Sequence, residues 1–369
     1  VPSGWRAWAV VLMAVVVGCP APLEEGASAA RRVDEGTGRP QRLAEPPWPE
    51  LVHMVGRFER LGPEHVRYGW PGTGIVVRFH GAALSVLMDD RAGYHGVSVD
   101  GGPSMTLRTR PGSHRWSVVD GLPPGEHTVV LRRRTEGHLG PTEVLGVEVE
   151  GTLLSAPAPA ARIEVVGDSI TAGYGNEGRA RDCRFSPRTE NHLRSYAALA
   201  AEAVGAELSA VAWSGKGVVH NYGGDPVEPM PAIYERAVPT EADARAPAIE
   251  SADVVLVNLG TNDFSTDADP SAERFVLGYV GLLADVRARH PDAPILCTVA
   301  PMLSRSETAT VESYLDQAIA LRWAAGDRDV QRIDLWEEPR GWGCDSHPSI
   351  ATHEAMASRL RPWLDAALQ

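Results

Sequence analysis

At residues 155–161, a short stretch rich in Ala and Pro, the spacing of apolar residues changes period, and nothing else in the chain constrains its fold as strongly. Before it the pattern has a period of two. Ile75, Val77 and Phe79 interleave with Val76, Arg78 and His80, and the apolar run 84–88 follows. Val97, Val99, Met105 and Leu107 flank the turn Asp100-Gly101-Gly102; Trp116 and Val118 precede a second turn over 120–125. Runs at 127–133 and 144–149 close the series. Short strands punctuated by Gly and Pro, with no helical stretch, predict a β-sandwich over residues 47–155. After 161 the pattern alternates. Runs at 163–166, 208–213, 253–258, 294–299 and 330–335 read as strands. Between and after them, 195–204, the series Phe275, Tyr279, Leu282, Leu283 and Val286, then 311–324 and 348–368 read as helices. Such alternation predicts a parallel sheet covered on both faces, a three-layer α/β/α domain over 162–369. Sites in such domains lie at the carboxyl ends of the strands.

Charge narrows the partners. The chain carries 35 basic and 48 acidic residues, a net charge of −13, which repels phosphate backbones and excludes a nucleic-acid partner. With 43% hydrophobic residues in 369, it can bury a sizeable core. At the start, Arg6 precedes an apolar run over 7–17, too short to span a bilayer but suited to the core of a signal peptide. Val16-Val17-Gly18-Cys19 then resembles a lipobox, in which the cysteine is lipidated. The expectation is a lipoprotein signal peptide over 1–19, lipidation at Cys19, and a flexible Pro/Glu/Arg/Gly-rich tether over 20–46. A plain secretory signal is the alternative. In both cases the protein is exported, either lipid-anchored at the cell envelope (the outer membrane in a Gram-negative cell) or secreted. Contact with a membrane is expected only through that anchor.

An exported chain can form disulfides. Of the three remaining cysteines, Cys297 sits in a strand-like run and reads as a core thiol, which leaves Cys183 and Cys344 as the expected pair. No Cys-x-x-Cys or His-x-x-x-His spacing is present, and the acidic stretch 263–269 lacks the glycine of an EF-type loop. Neither a metal nor an organic cofactor is expected.

Four blocks follow strand ends or open the last helix. Gly167-Asp168-Ser169-Ile170-Thr171 places a serine on a strand-to-loop turn, where a nucleophile is exposed or a helix is simply capped. Ala212-Trp213-Ser214-Gly215-Lys216-Gly217 brings backbone N–H groups close to a ligand, or is an ordinary turn. Gly260-Thr261-Asn262-Asp263 supplies a side-chain amide that can meet developing negative charge. In Cys344-Asp345-Ser346-His347-Pro348, Pro348 suits the first helical position, the helix start disfavours an imidazolium at His347, and Asp345 is near enough to steer the ring.

In this order the blocks resemble the SGNH (GDSL-like) hydrolase superfamily across residues 162–369. With a sandwich in front, the chain is similar to carbohydrate esterase family two, whose members are acetyl esterases of plant polysaccharides with a jelly-roll module packed on a flavodoxin-like SGNH domain. The resemblance implies Ser169 as nucleophile and His347 as base, with the Ser169 N–H, the Gly215 N–H and the Asn262 side chain as oxyanion donors. Many SGNH enzymes carry the triad acid three residues before the histidine; here that position is Cys344, and the acid stands two before, at Asp345. The family includes members with an acid at this nearer position and others that work as a Ser–His dyad, so Asp345 orients the ring alone, with a backbone carbonyl, or not at all.

The expected activity is removal of O-acetyl groups from acetylated xylan or a related hemicellulose through an acyl-enzyme. Two rivals stand beside it. A general short-chain GDSL esterase or lipase would differ in acyl-chain preference, although no long apolar lid is evident. A non-catalytic polysaccharide-binding lipoprotein would have no need of a nucleophile with a base.

Overall fold

The computed structural model of the chain describes residues 48–369 except 92, 247–250 and 337. The expected signal peptide, Cys19 and the tether lie outside the described residues. Among the described residues no helix is long and apolar enough to cross a membrane.

A one-turn helix, α1 (Trp48–Leu51), leads into nine antiparallel strands: β1 (His53–Val55), β2 (Glu59–Gly62), β3 (His65–Tyr68), β4 (Gly74–Asp90), β5 (Tyr94–Val99), β6 (Met105–Arg108), β7 (Gly112–Val119), β8 (Gly125–Arg133) and β9 (Thr142–Leu154). The alternating run at 75–79 and the apolar run at 84–88 belong to one strand, β4, which is 17 residues long. Its first half pairs with β8 and its second half with β7, while β9 follows it on the other side. One continuous hydrogen-bonded ribbon thereby serves both layers of the sandwich. The ribbon turns where Gly81 meets Gly151: a Cβ at Gly81 would lie 1.7 Å from the Glu150 carbonyl oxygen, so only glycine admits this approach. Alternate residues of β4 (Ile75, Val77, Phe79, then Leu84, Val86, Met88) enter a core shared with Tyr68, Val129, Leu131 and Val144.

The second half contains β10 (Arg162–Gly167), α2 (Ser169–Ala172), α3 (Tyr196–Ala203), β11 (Glu207–Ala212), α4 (Met230–Ile233), β12 (Val254–Asn258), α5 (Ala272–Arg289), β13 (Ile295–Thr298), α6 (Arg305–Ala324), β14 (Val330–Arg332) and α7 (Ile350–Ala367). Its five strands are all parallel, in the order β11-β10-β12-β13-β14. Period-two alternation sorts each strand between two cores. Val254 and Leu256 of β12 pack with Tyr196, Met356 and Leu360 from α3 and α7. Val255 and Val257 pack with Phe275, Tyr279, Val311 and Leu315 from α5 and α6. This is the expected three-layer arrangement. The strand order reverses between β10 and β12, which opens a crevice at their carboxyl ends.

Helix α6 begins six residues before its apolar periodicity, because Ser304 and Glu307 form a capping box that nucleates the first turn. The α7 N-cap is Ser349, so Pro348 precedes the helix and does not occupy its first position. Burial of a charged pair ties the two halves together. Arg57, from the segment after β1, donates to Glu164 of β10 at 2.9 Å inside the α/β core, where the Tyr234 hydroxyl also donates to Glu164 at 2.8 Å. Although burial pushes the Glu164 carboxyl up, the Arg57 guanidinium prevails and holds it well below the ordinary carboxylate range.

Candidate active site

Strand β10 ends at Gly167, and Asp168 caps α2 by accepting the Ile170 N–H at 3.0 Å. Ser169 thus becomes the first residue of a single helical turn at the mouth of the crevice. Its Oγ lies 2.9 Å from His347 Nε2. On the far side of the ring, Nδ1 lies 3.1 Å from the Asp345 backbone carbonyl. A carbonyl oxygen can only accept, so Nδ1 carries the proton and Nε2 presents a lone pair to the serine hydroxyl. That is the tautomer a general base needs. Burial keeps the imidazole below its ordinary value of 6.5, against the opposing pull of the Asp345 carbonyl and of the Glu136 and Asp345 charges. Burial therefore favours the neutral ring, in the same direction as the expected effect of the α7 start.

The structure redirects the Asp345 side chain. Its carboxylate accepts the Phe185 N–H at 2.8 Å and the Tyr174 hydroxyl at 3.1 Å, and it does not bond the imidazole. The physical reason lies in the backbone: Asp345 and Ser346 both adopt positive φ, 49° and 62°. This left-handed pair turns the residue 345 carbonyl toward the ring and its side chain away. The carboxylate acts on the histidine at one remove, because Tyr174 packs against both Phe185 (4.2 Å between centroids) and His347 (4.3 Å).

Long-range contacts hold this unusual turn. Cys344 is joined to Cys183 by a disulfide with Cα atoms 4.5 Å apart, and Cys297 is free and buried. Asp345 N donates to the Cys183 carbonyl at 2.8 Å, Ser346 N to the Arg181 carbonyl at 2.9 Å, and Cys344 N to the Gly175 carbonyl at 2.9 Å.

The three expected oxyanion donors also converge on this end of the sheet. Gly215 follows β11 with φ at 80°, a conformation that favours glycine, in a turn closed by Lys216 N on the Trp213 carbonyl at 3.2 Å. Asn262 follows β12 and gives one amide N–H to the Lys216 carbonyl at 2.9 Å; Asp168 Oδ2 is 3.4 Å from the same nitrogen. Burial, with the like charge of Asp263 added, pushes the Asp168 carboxyl up to about 7. Asp263 collects three backbone N–H groups, from Val218, Val219 and His220, each within 2.9 Å, and so fixes the loop that follows Gly215. Among the described residues no cluster of three or more His, Cys, Asp or Glu side chains is placed to hold a metal ion.

Several participants were not legible as motifs. Asp263 stands in the third block and in an acidic stretch, but neither shows that its side chain fixes the loop after Gly215. Tyr174 lies just after the serine block with nothing local to mark its role, and Phe185 carries no local signal. Glu136 belongs to the sandwich, yet it is buried and accepts the Ser214 N–H at 2.5 Å as well as the Ser214 hydroxyl.

Comparison with known proteins agrees with this geometry. Residues 54–157 match the family description "Carbohydrate esterase 2 N-terminal", and residues 165–355 match "GDSL-like Lipase/Acylhydrolase family". The chain is 37% identical over 311 residues to the cellulase/esterase CelE of Acetivibrio thermocellus, covering 83% of this chain and 38% of that much longer relative. It is 26% identical over 331 residues to an acetylxylan esterase / glucomannan deacetylase of Cellvibrio japonicus, covering 85% of this chain and 90% of that one. Among solved structures, a family two carbohydrate esterase from Clostridium thermocellum in complex with cellohexaose superposes with a TM-score of 0.81 at 36% identity, over 86% of this chain and 99% of that one.

Proposed function

We propose that this chain, which belongs to the GDSL-like lipase/acylhydrolase family and within it to the family two carbohydrate esterases, is a serine esterase that removes O-acetyl groups from acetylated xylan or a related hemicellulose. The observation that carries the reading is the Ser169–His347 contact at 2.9 Å with the far ring nitrogen on a backbone carbonyl. The names of the relatives supply the substrate class.

In this reading Ser169 Oγ attacks the acetyl carbonyl carbon and its proton passes to His347 Nε2. Negative charge gathers on the former carbonyl oxygen, where the N–H groups of Ser169 and Gly215 and the Asn262 amide stabilise it. Collapse breaks the bond to the sugar oxygen, which leaves as an alcohol with the proton from His347. Water, deprotonated by the same histidine, then releases acetate and restores the serine. The Asp345 carbonyl holds the ring and stabilises the imidazolium in the manner of a dyad. Tyr222, 71% exposed and bonded through its N–H to the Gly215 carbonyl at 2.8 Å, offers a flat face for the sugar ring.

Acetate release from acetylated xylan and acetylated glucomannan, measured beside Ser169→Ala, tests the reading. Release by the parent and none by the variant is expected. No release from either polysaccharide, with hydrolysis of p-nitrophenyl acetate retained, would favour a general short-chain esterase. No hydrolysis of either kind would favour a binding protein.

Export and lipidation at Cys19 are a separate part of the proposal, supported by Arg6, the apolar run 7–17 and Val16-Val17-Gly18-Cys19. The mass of the N-terminal peptide of the membrane-associated protein tests it: a diacylglyceryl cysteine is expected, and an unmodified residue 19 would leave a plain secretory signal.

A further inference from the structure

We propose that Glu136, contributed by the sandwich, is a positioning residue for the oxyanion-binding turn: its carboxylate clamps Ser214 and thereby aims the N–H of Gly215. The inference rests on the esterase reading above. It makes the sandwich a working part of the active site and not merely a module attached to it.

The Ser214–Gly215 turn is pinned at two ends. On one side Asn262, from the α/β half, holds the Lys216 carbonyl at 2.9 Å. On the other, the Glu136 carboxylate takes both donors of Ser214, its N–H at 2.5 Å and its hydroxyl. No residue of the α/β half performs that second task among the described residues. Glu136 is itself rigidly held. Arg133, fully buried, donates to the carbonyls of Thr135 at 2.7 Å, Glu136 at 2.6 Å and Gly140 at 2.7 Å, so one guanidinium fixes the path of the whole segment. A pin that must locate an N–H to within a few tenths of an ångström requires that kind of support.

The chemistry of the pin is also unusual. Glu136 is buried beside a second buried carboxyl, Glu190, whose Oε2 receives the Glu136 N–H at 3.4 Å. The two carboxyl groups interact, and like charges brought together in a buried site disfavour each other's ionisation. Burial and the neighbouring Glu136 charge push the Glu190 carboxyl well above its ordinary value. Glu136 resists the same burial because His138 and the two Ser214 donors favour its charged form. A neutral amide could satisfy a backbone N–H at lower desolvation cost. The retained negative charge has a use in the proposed reaction, because it favours the imidazolium that forms when Ser169 gives up its proton. Tyr174 packs against the His347 ring, the charges of Glu136 and of Asp345, the latter paired with Arg184, favour its imidazolium, and its charge would disfavour that of His353; of these, only Glu136 comes from the sandwich. The same segment of the sandwich also places His138 against Phe185, at 5.7 Å, at the end of the aromatic stack that reaches His347.

The test compares the full-length protein with Glu136→Gln, Glu136→Ala and Ser214→Ala, using p-nitrophenyl acetate and acetylated xylan across a pH series, with folding followed by thermal melting. Glu136→Gln is expected to lower kcat about 10- to 100-fold with KM within about twofold, as befits an interaction realised in the transition state. Its acid limb is expected at lower pH than in the wild type, because removing the anion lowers the His347 value. Glu136→Ala should lose more. Ser214→Ala, which removes one of the two bonds from the opposite side, should lose roughly three- to tenfold in kcat. A wild-type kcat and acid limb in folded Glu136→Gln would overturn the inference and reduce the contact to a join between the halves. A rise in KM with unchanged kcat would overturn it in favour of substrate binding. Should the Glu136 variants not fold, an unchanged kcat in Ser214→Ala overturns it alone. A wild type inactive on both substrates would overturn the reading of the site, and this inference with it.

Discussion

Ser169 and His347 meet at 2.9 Å, yet the two turns that deliver them are built on opposite plans. The serine turn is local. A β-branched strand, an Asp168 cap and one turn of helix place the nucleophile within five residues of the strand end, and the bonds that cap this turn, from Ile170 N to the Asp168 side chain and from Gly173 N to the Ser169 carbonyl, span only a few residues. The histidine turn is non-local. Its backbone enters a disfavoured region twice in succession at Asp345 and Ser346. Contacts to residues 175–183, about 160 positions away, keep it there, including a disulfide closing 161 residues. A nucleophile can thus be encoded by a short motif, whereas a base that leans on a backbone carbonyl depends on whatever packs against that carbonyl.

The largest effect should ignore this difference. Ser169→Ala and His347→Ala are each expected to lower kcat by about 10⁴–10⁶ without loss of melting temperature, because the pair acts as a unit. A loss tenfold or more smaller in one of them would show that the two do not share one proton transfer.

Cutting the disulfide should separate the turns. Cys183→Ser is expected to cost about 2–4 kcal/mol in unfolding free energy. The activity of the folded fraction should fall as well, since Cys344 adjoins the strained pair. If the melting temperature drops with kcat unchanged, the remaining hydrogen bonds suffice to hold the turn.

The serine turn has its own cost, in pH dependence. Asp168 is held protonated up to about 7 in the folded protein, against an ordinary value of 3.8. The unfolded chain ionises first, so this residue's contribution to stability is present below about pH 4 and is lost as pH rises toward 7. Asp168→Asn should flatten that slope in urea unfolding measured from pH 4 to 8. An unaltered slope would mean that the carboxyl is ionised throughout.

The smallest effect concerns Asp345. Because its carbonyl and not its carboxylate meets the ring, Asp345→Asn should cost less than roughly tenfold in kcat, against the ~10⁴ expected for loss of a triad acid. In both proteins the acid limb of kcat/KM should lie below pH 6.5, following the burial of His347. A loss near 10⁴ would restore the triad.

Much of this architecture was visible in the bare chain. The strands of the α/β half were legible because most of their residues are buried, and their apolar runs alternate with helices of clear period, as in 254–258 followed by the α5 series. In the sandwich, β4 was harder to read: Gly81 looks like a turn, and only its meeting with Gly151 shows that the strand runs through. Strands β1 to β3 are three or four residues each, too short for a period to emerge. Of the site, Ser169, Gly215, Asn262 and His347 could be picked out because each follows a strand end or opens a helix in a recognisable block. The Cys183–Cys344 pairing came from eliminating a thiol in an apolar strand.

What the residues alone settle, then, is which groups can do chemistry and on which layer they ride, since periodicity and turn composition act over a few residues. Tertiary structure decides which atom of residue 345 faces the imidazole, because the sign of φ there depends on hydrogen bonds to Cys183 and Arg181 across the fold. It also decides that a glutamate from the sandwich reaches Ser214, a contact between residues 78 positions apart. No local pattern records such a meeting, because neither residue's backbone preference depends on the other; it needs the two halves packed together, with the Arg57–Glu164 pair buried between them and Arg133 fixing the sandwich segment that carries Glu136.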